Sequence, residues 1–274
     1  MLSCDMAKGA TDPVVTLTIS AGVATLTLGD ESNRNALTRA VVAELIDGLA
    51  AANANASVRV IVITNTGRVF CAGADLSEQS GAGATADSPP PPGRGPNGLV
   101  TLLRLIQQSP TPVVARVDGH AVAGGVGLVA ACDISIARDD VLLGFTEVRV
   151  GVIPAMISVV CLPKMRRGDA LEAFLRGRRF LAPEAAELGL ITRAVPAAEL
   201  DAHVAAVVED LTGGGPEALA EAKRLVYDVP MLSAEDAWRV TTERSQERFT
   251  SAEAAEGMAA FLEKRAPAWA PRDQ

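Results

Sequence analysis

The 274-residue sequence contains no uninterrupted apolar run of ~20 residues, the length that a helix needs to cross a bilayer. Its opening stretch, Met1 to Ala10, lacks the basic-then-apolar order of a secretory leader. The four cysteines (Cys4, Cys71, Cys132 and Cys161) fall at no metal-ligand spacing and form no disulfide framework, which fits a reducing cytoplasm. We expect neither a bound metal nor a prosthetic group. Basic residues are outnumbered 25 to 33, giving a net charge of −8 that argues against nucleic acid as the main partner. A phosphate-cradling loop ending in Gly-Lys-Ser/Thr is also missing. What remains is a chain with 49% hydrophobic residues, long enough to bury a large core.

Two segments carry the chemistry. Val113-Val114-Ala115-Arg116-Val117 reads as a buried strand that Gly119, Gly124, Gly125 and Gly127 interrupt, with a helix expected over Val126 to Cys132. Such a turn gathers unpaired backbone N–H groups at the positive end of a helix. If negative charge forms there during a reaction, the turn is an oxyanion hole. Val60 to Asn65 is a second buried-strand pattern, and the chain beyond it passes through Phe70-Cys71-Ala72-Gly73-Ala74-Asp75. One N–H from each strand exit would make a two-donor cradle. Either glycine cluster alone is also consistent with a tight turn. A dinucleotide fingerprint competes weakly: Glu147 lies roughly 20 positions on, but Arg138-Asp139-Asp140 breaks the intervening segment.

The rest of the chain divides readably. Val14–Ile19 and Val23–Leu28 alternate apolar residues with threonine or alanine across Ala21-Gly22, a hairpin signal. Thr38 is positioned to cap a helix running to about Ala54. Residues 80–98, with Pro89 to Pro92 and five glycines, read as a flexible loop, either a lid or a disordered insertion. Helical spacing resumes from Leu99 to Gln108. Beyond Pro196, helices are expected over 197–211, 216–226, 234–249 and 252–265, with Gly213-Gly214-Gly215-Pro216 as a break. Met1 to Pro13 reads as a loose tail.

Asn35-Ala36-Leu37, Phe70 to Asp75, Asp118 to Gly127, Cys132-Asp133-Ile134, Gly144-Phe145-Thr146-Glu147 and Gly151-Val152-Ile153-Pro154 stand in a familiar order. Gly189-Leu190-Ile191 and Glu256 to Arg265 continue it. On these motifs the chain, from about Val14 to Arg265, resembles the enoyl-CoA hydratase/isomerase (crotonase) superfamily. The resemblance implies an α/β fold: a spiral of ββα units over residues 14–196, then a helical trimerisation region over 197–274. It implies acyl-CoA substrates, coenzyme A entering only as part of the substrate, and a homotrimer or dimer of trimers.

The same resemblance assigns the thioester oxygen to the N–H groups of Ala74 and Gly124. It also gives an acyl-CoA-binding set of Ser32, Asn33, Arg34, Ala72, Gly73, Asp75, Leu76, Phe261 and Lys264, the last two reaching a neighbouring subunit's CoA. Hydratases of the family use two glutamates. The second falls on Glu147, flanked by Leu142-Leu143-Gly144-Phe145 and Val148; the first falls on Gly127, which has no side chain. Members retaining only the second include Δ3,Δ2-enoyl-CoA isomerases, in which one carboxylate removes a proton and returns it two carbons along. An apolar setting that raises the carboxyl pKa suits that role.

Other polar residues have plainer readings. Asp75 fits a helix N-cap, Asp118 a turn, Lys264 a helix-end cation and Cys71 a small packing residue. His120 fits either the acyl pocket or a structural hydrogen bond, with Gly127 as a further pocket position. His203 falls in a helix. Glu78 and Asp87, in or beside the proline-rich loop, could stand in for the absent glutamate. Three functions follow: an enoyl-CoA isomerase, or enzyme of related enolate chemistry, with Glu147 as sole base; a 2-enoyl-CoA hydratase with a substitute acid; or a non-catalytic acyl-CoA binder.

Overall fold

Alternation in the first thirty residues folds as read. In the computed structural model, which describes residues 13–75 and 98–270, strands β1 (Val15–Ser20) and β2 (Val23–Leu28) pair antiparallel. Ala21 and Gly22 turn between them at φ values of 47° and 79°, the positive-φ pair that two-residue hairpins use. Thr38 accepts a hydrogen bond from the Val41 N–H (3.2 Å) and starts helix α1 (Arg39–Ala54). Its buried residues, Val41, Val42, Leu45, Leu49 and Ala52, recur at helical spacing and face the sheet.

From β3 onward the chain winds. Strands β3 (Val60–Asn65), β5 (Val113–Val117), β7 (Ile134–Arg138) and β10 (Arg193–Val195) extend β1–β2 into a six-stranded sheet, parallel from β2 on. The intervening strands β4 (Val69–Cys71), β6 (His120–Val122) and β8 (Leu142–Gly144) form a second, parallel sheet, closed by antiparallel β9 (Arg179–Leu181). Each turn therefore gives one strand to each sheet, then a helix: α2 (Gly98–Gln108), α3 (Gly124–Ala131) and α4 (Ala155–Cys161). This is the ββα spiral. Helices α5 (Arg167–Arg176) and α6 (Ala182–Glu187) flank β9.

Helix α3 begins two residues earlier than the apolar pattern suggested. The reason is Ala123, whose φ of 51° and ψ of −122° turn the chain sharply so that Gly124 already belongs to the helix. A non-glycine residue in that region costs about 1–3 kcal/mol and is held only where the surroundings fix it. Here the Ala123 N–H donates to the Gly144 carbonyl (2.9 Å).

The C-terminal helices α7 (Leu200–Gly213), α8 (Pro216–Asp228), α9 (Ala234–Phe249) and α10 (Ala252–Glu263) follow the expected breaks, with Pro216 in the first turn of α8. One boundary moves. Leu200, Val204, Val207, Val208 and Leu211 of α7 pack on Val60, Val62, Val114, Ile136 and Val195, covering the sheet face opposite α1 and α2. The core thus extends past the division read at Pro196, because a parallel sheet needs both faces covered. Helix α8 is pinned beneath by Lys223, whose Nζ meets Asp133 Oδ2 (2.8 Å) and the Ile106 carbonyl (2.8 Å), while the Val113 N–H donates to the same Asp133 oxygen (2.8 Å). Their side chains are 9% and 17% exposed. Lys223→Met leaves a buried carboxylate without its cation and should lower stability by about 3–5 kcal/mol in chemical denaturation. Adding Asp133→Asn should recover part of that loss.

Candidate active site

The neighbouring strands of the small sheet run parallel in close register, Cys71 beside Ala121 and Val122 beside Gly144. Their C-terminal ends therefore lie side by side, and the three exits converge. From β4 the chain leaves through Ala72-Gly73-Ala74, from β6 through Ala123-Gly124, and from β8 through Phe145-Thr146-Glu147. Two exits supply backbone amides and the third supplies a carboxylate.

The amides are close. A Cβ built on Gly73 would stand 3.1 Å from the Gly124 nitrogen, and one on Gly124 would stand 3.6 Å from the Ala74 nitrogen. The local bonding leaves both donors available. Leu37 N–H donates to the Gly73 carbonyl (2.8 Å) and Ala72 N–H to the Arg34 carbonyl (3.1 Å), while Gly124 is the first residue of a helix, where the N–H has no intrahelical acceptor. Among the described residues no backbone acceptor takes the N–H of Ala74 or Gly124. Both residues line a cavity of about 670 Å³, together with Ala72, Leu99, Thr146, Glu147 and the apolar wall from Val152 to Ile157.

Glu147 begins a short 3-10 turn (Glu147–Val150). Its Oε2 is buried with no hydrogen-bond partner. Burial pushes the carboxyl above the ordinary glutamate value, against the opposing pull of its own backbone N–H. An unpartnered carboxyl oxygen lining one cavity with two amides that no backbone acceptor takes is an arrangement that can move a proton near a developing oxyanion. Among the described residues it is the only carboxylate in the cavity wall.

Two positions read as possible pocket residues are not in that wall. His120 Nδ1 accepts the Leu142 N–H (3.0 Å), and burial, then the Arg179 and Arg68 cations, lower its pKa; it ties β6 to β8 instead. Gly127 is buried inside α3, where an added Cβ would stand 2.2 Å from Ile157 Cγ2. Ile157, from α4, fills the space into which any side chain at position 127 would project. Sequence reading missed it because the two positions lie thirty residues apart and meet only through helix packing.

The remaining assignments separate. Asn33 Nδ2 donates to Asp75 Oδ2 (2.9 Å), and the Arg34 carbonyl holds Ala72, so Asn33 and Arg34 brace the back of the first donor turn. Ser32 Oγ bonds Asp30 (2.9 Å). Leu76, Glu78, Asp87 and the helix that Asp75 would cap lie outside the described residues, as does the loop read at 80–98 except Gly98, which starts α2. Phe261 is 82% exposed, and Lys264 ends α10 at φ 55° with its N–H on the Ala260 and Phe261 carbonyls; neither lines this cavity. Cys71 is fully buried and its thiol is pushed up to about 12 by burial, which removes it as a nucleophile. Asp118 sits between Arg116 (3.0 Å) and Arg138 (3.0 Å), and among the described residues no helix is long and apolar enough to cross a membrane.

Known proteins resemble this chain in sequence and in fold. The family profile for enoyl-CoA hydratase/isomerase matches residues 18–272. A Bacillus subtilis protein named "Probable enoyl-CoA hydratase" is 34% identical over 255 residues, 92% of this chain and 97% of that protein. The crystal structure of an enoyl-CoA hydratase from Mycobacterium smegmatis superposes with a TM-score of 0.83 at 31% identity, covering 94% of this chain and 99% of that one. An enoyl-CoA hydratase/isomerase from Marinobacter aquaeolei gives a TM-score of 0.85 at 27% identity, over 93% and 98% of the two chains. With paired amides and a glutamate at the ends of successive spiral strands, and similarity along nearly its whole length, this chain belongs to the enoyl-CoA hydratase/isomerase (crotonase) family.

Proposed function

We propose that the protein shifts a double bond in an enoyl-CoA, or performs related enolate chemistry, with Glu147 as its sole base. The observation that carries this reading is Ile157 at Gly127: the space for a second carboxylate holds a methyl group instead. Addition of water to a 2-enoyl-CoA needs one group to activate water and another to handle the α-proton. A shuttle needs one. The thioester oxygen would lie between the Ala74 and Gly124 amides. Glu147 would take a proton from C2 of a 3-enoyl-CoA, the negative charge would move onto the thioester oxygen, and the same carboxyl group would return the proton to C4.

The names of its relatives favour a second reading, a 2-enoyl-CoA hydratase using a substitute acid. Incubating the protein separately with a 3-enoyl-CoA and a 2-enoyl-CoA distinguishes the two. Isomerisation without water addition supports the shuttle; rapid hydration overturns it; tight binding without turnover indicates a non-catalytic acyl-CoA binder. The exposed Trp238, Phe249, Phe261 and Leu262 on α9 and α10 support a homotrimer or dimer of trimers, in which Phe261 and Lys264 would reach a neighbour's CoA.

Installing the absent carboxylate tests the same point. Gly127→Glu should give no hydratase and a lower melting temperature, since overpacking of this kind costs about 1–3 kcal/mol. Gly127→Glu with Ile157→Gly removes the obstructing side chain and should begin to hydrate 2-enoyl-CoA, although the melting temperature stays low because truncating the buried Ile157 itself costs about 2–5 kcal/mol.

A further inference from the structure

The cavity wall holds two arginines beside its one glutamate. Several arginines elsewhere meet acids: Arg178 pairs with Glu184, Arg176 with Glu172, Arg244 with Asp228 (2.7 Å), Arg248 with Glu217 (2.6 Å). The two arginines of the cavity wall, Arg149 and Arg179, meet no carboxylate among the described residues. Arg149 is nonetheless held in place. Its Nη2 donates to the Arg176 carbonyl (2.7 Å) and its Nε to the Gly177 carbonyl (3.4 Å), at the end of α5. Helix C-termini hold cations through exposed carbonyls. Gly177, at φ 56°, makes room: a Cβ there would stand 3.2 Å from Arg149 Cγ and 3.2 Å from its Nε. Carbonyls orient a guanidinium without neutralising it, so Nη1 and the full positive charge remain for a ligand.

Building on the acyl-CoA reading, we propose that the acyl group carries its own carboxylate, and that Arg149, seconded by Arg179 on edge strand β9, selects such dicarboxylic thioesters. The CoA phosphates do not fit this role. Arg149 follows Glu147 by two residues in the same turn and shares its cavity, whereas the pantetheine arm places the phosphates many bonds from the thioester. A carboxylate at the far end of the acyl group would share the cavity that Arg149 and Arg179 line.

The test is binding of a saturated pair, hexanoyl-CoA and adipoyl-CoA, by calorimetry. These ligands differ only in a terminal carboxylate and need no turnover, so the outcome is independent of whether Glu147 shuttles a proton. Adipoyl-CoA should bind at least about tenfold more tightly, and the ratio should shrink with added salt. Arg149→Met should bring the two ligands to within about threefold, with Arg149→Lys intermediate. Arg179→Met, at an exposed edge position, should lower the ratio by itself. A wild-type ratio below tenfold, or a preference that survives both methionine substitutions, overturns the proposal. If adipoyl-CoA is preferred but 2-enoyl-CoA is rapidly hydrated, or 3-enoyl-CoA is left unchanged, the charge selection stands and the shuttle falls.

Discussion

Glu147→Gln should lower turnover of a 3-enoyl-CoA by at least about a hundredfold while acyl-CoA binding survives. Glutamine keeps the volume and the hydrogen-bonding reach but cannot accept a proton. Among the described residues no other carboxylate lines the cavity, so none of them can take over. The pH dependence supplies a second check. A base works only when ionised, and burial holds this carboxyl above the ordinary glutamate value of about 4.3. The acid limb of kcat/KM should therefore lie above the usual carboxylate range, with the rate falling as pH drops through it. The residual activity of the variant should lack that limb. An unaltered rate in Glu147→Gln would refute the assignment.

Much of the architecture could be read from the chain because it is decided locally. The hairpin at Ala21-Gly22, the Thr38 cap and the Pro216 start each rest on residues within four positions of one another. The three parallel strands of the small sheet are three residues each, too short for a period-2 pattern to emerge. Yet they create the site, by aligning three exits. The glycine-rich turns point to the two donor segments, but the individual amides and Glu147 are assigned through the family resemblance, with the apolar flanks of Glu147 fitting that role. Contacts between distant segments had no such signal. Ile157 closing on Gly127, Arg149 lying against Gly177 and α7 closing the back of the sheet are products of packing. His120 was ambiguous in the sequence for the same reason: its partner, the Leu142 N–H, is twenty-two residues away.

Gly73→Ala should be nearly as damaging as loss of the carboxylate, although it removes no functional group. Gly73 sits at φ 84°, where alanine is strained, and the new methyl would stand 2.9 Å from Ala123 Cβ, 3.0 Å from the Val122 carbonyl and 3.1 Å from the Gly124 nitrogen. Two of those three neighbours are backbone atoms that cannot rotate away. Relief requires the β4 and β6 exits to separate, which pulls the Ala74 and Gly124 amides out of register with one oxygen. Losing a single such donor costs about 3–4 kcal/mol of barrier, so kcat should fall by about 10²–10³, with a smaller change in KM. Gly22→Ala is the control. That hairpin glycine shares the positive φ (79°) but would make only ordinary contacts, the nearest at 3.4 Å. It should lose about 1 kcal/mol of stability from the backbone penalty and keep its turnover. If Gly73→Ala behaves like Gly22→Ala, losing stability but not rate, the two amides do not hold the oxygen on which the charge develops.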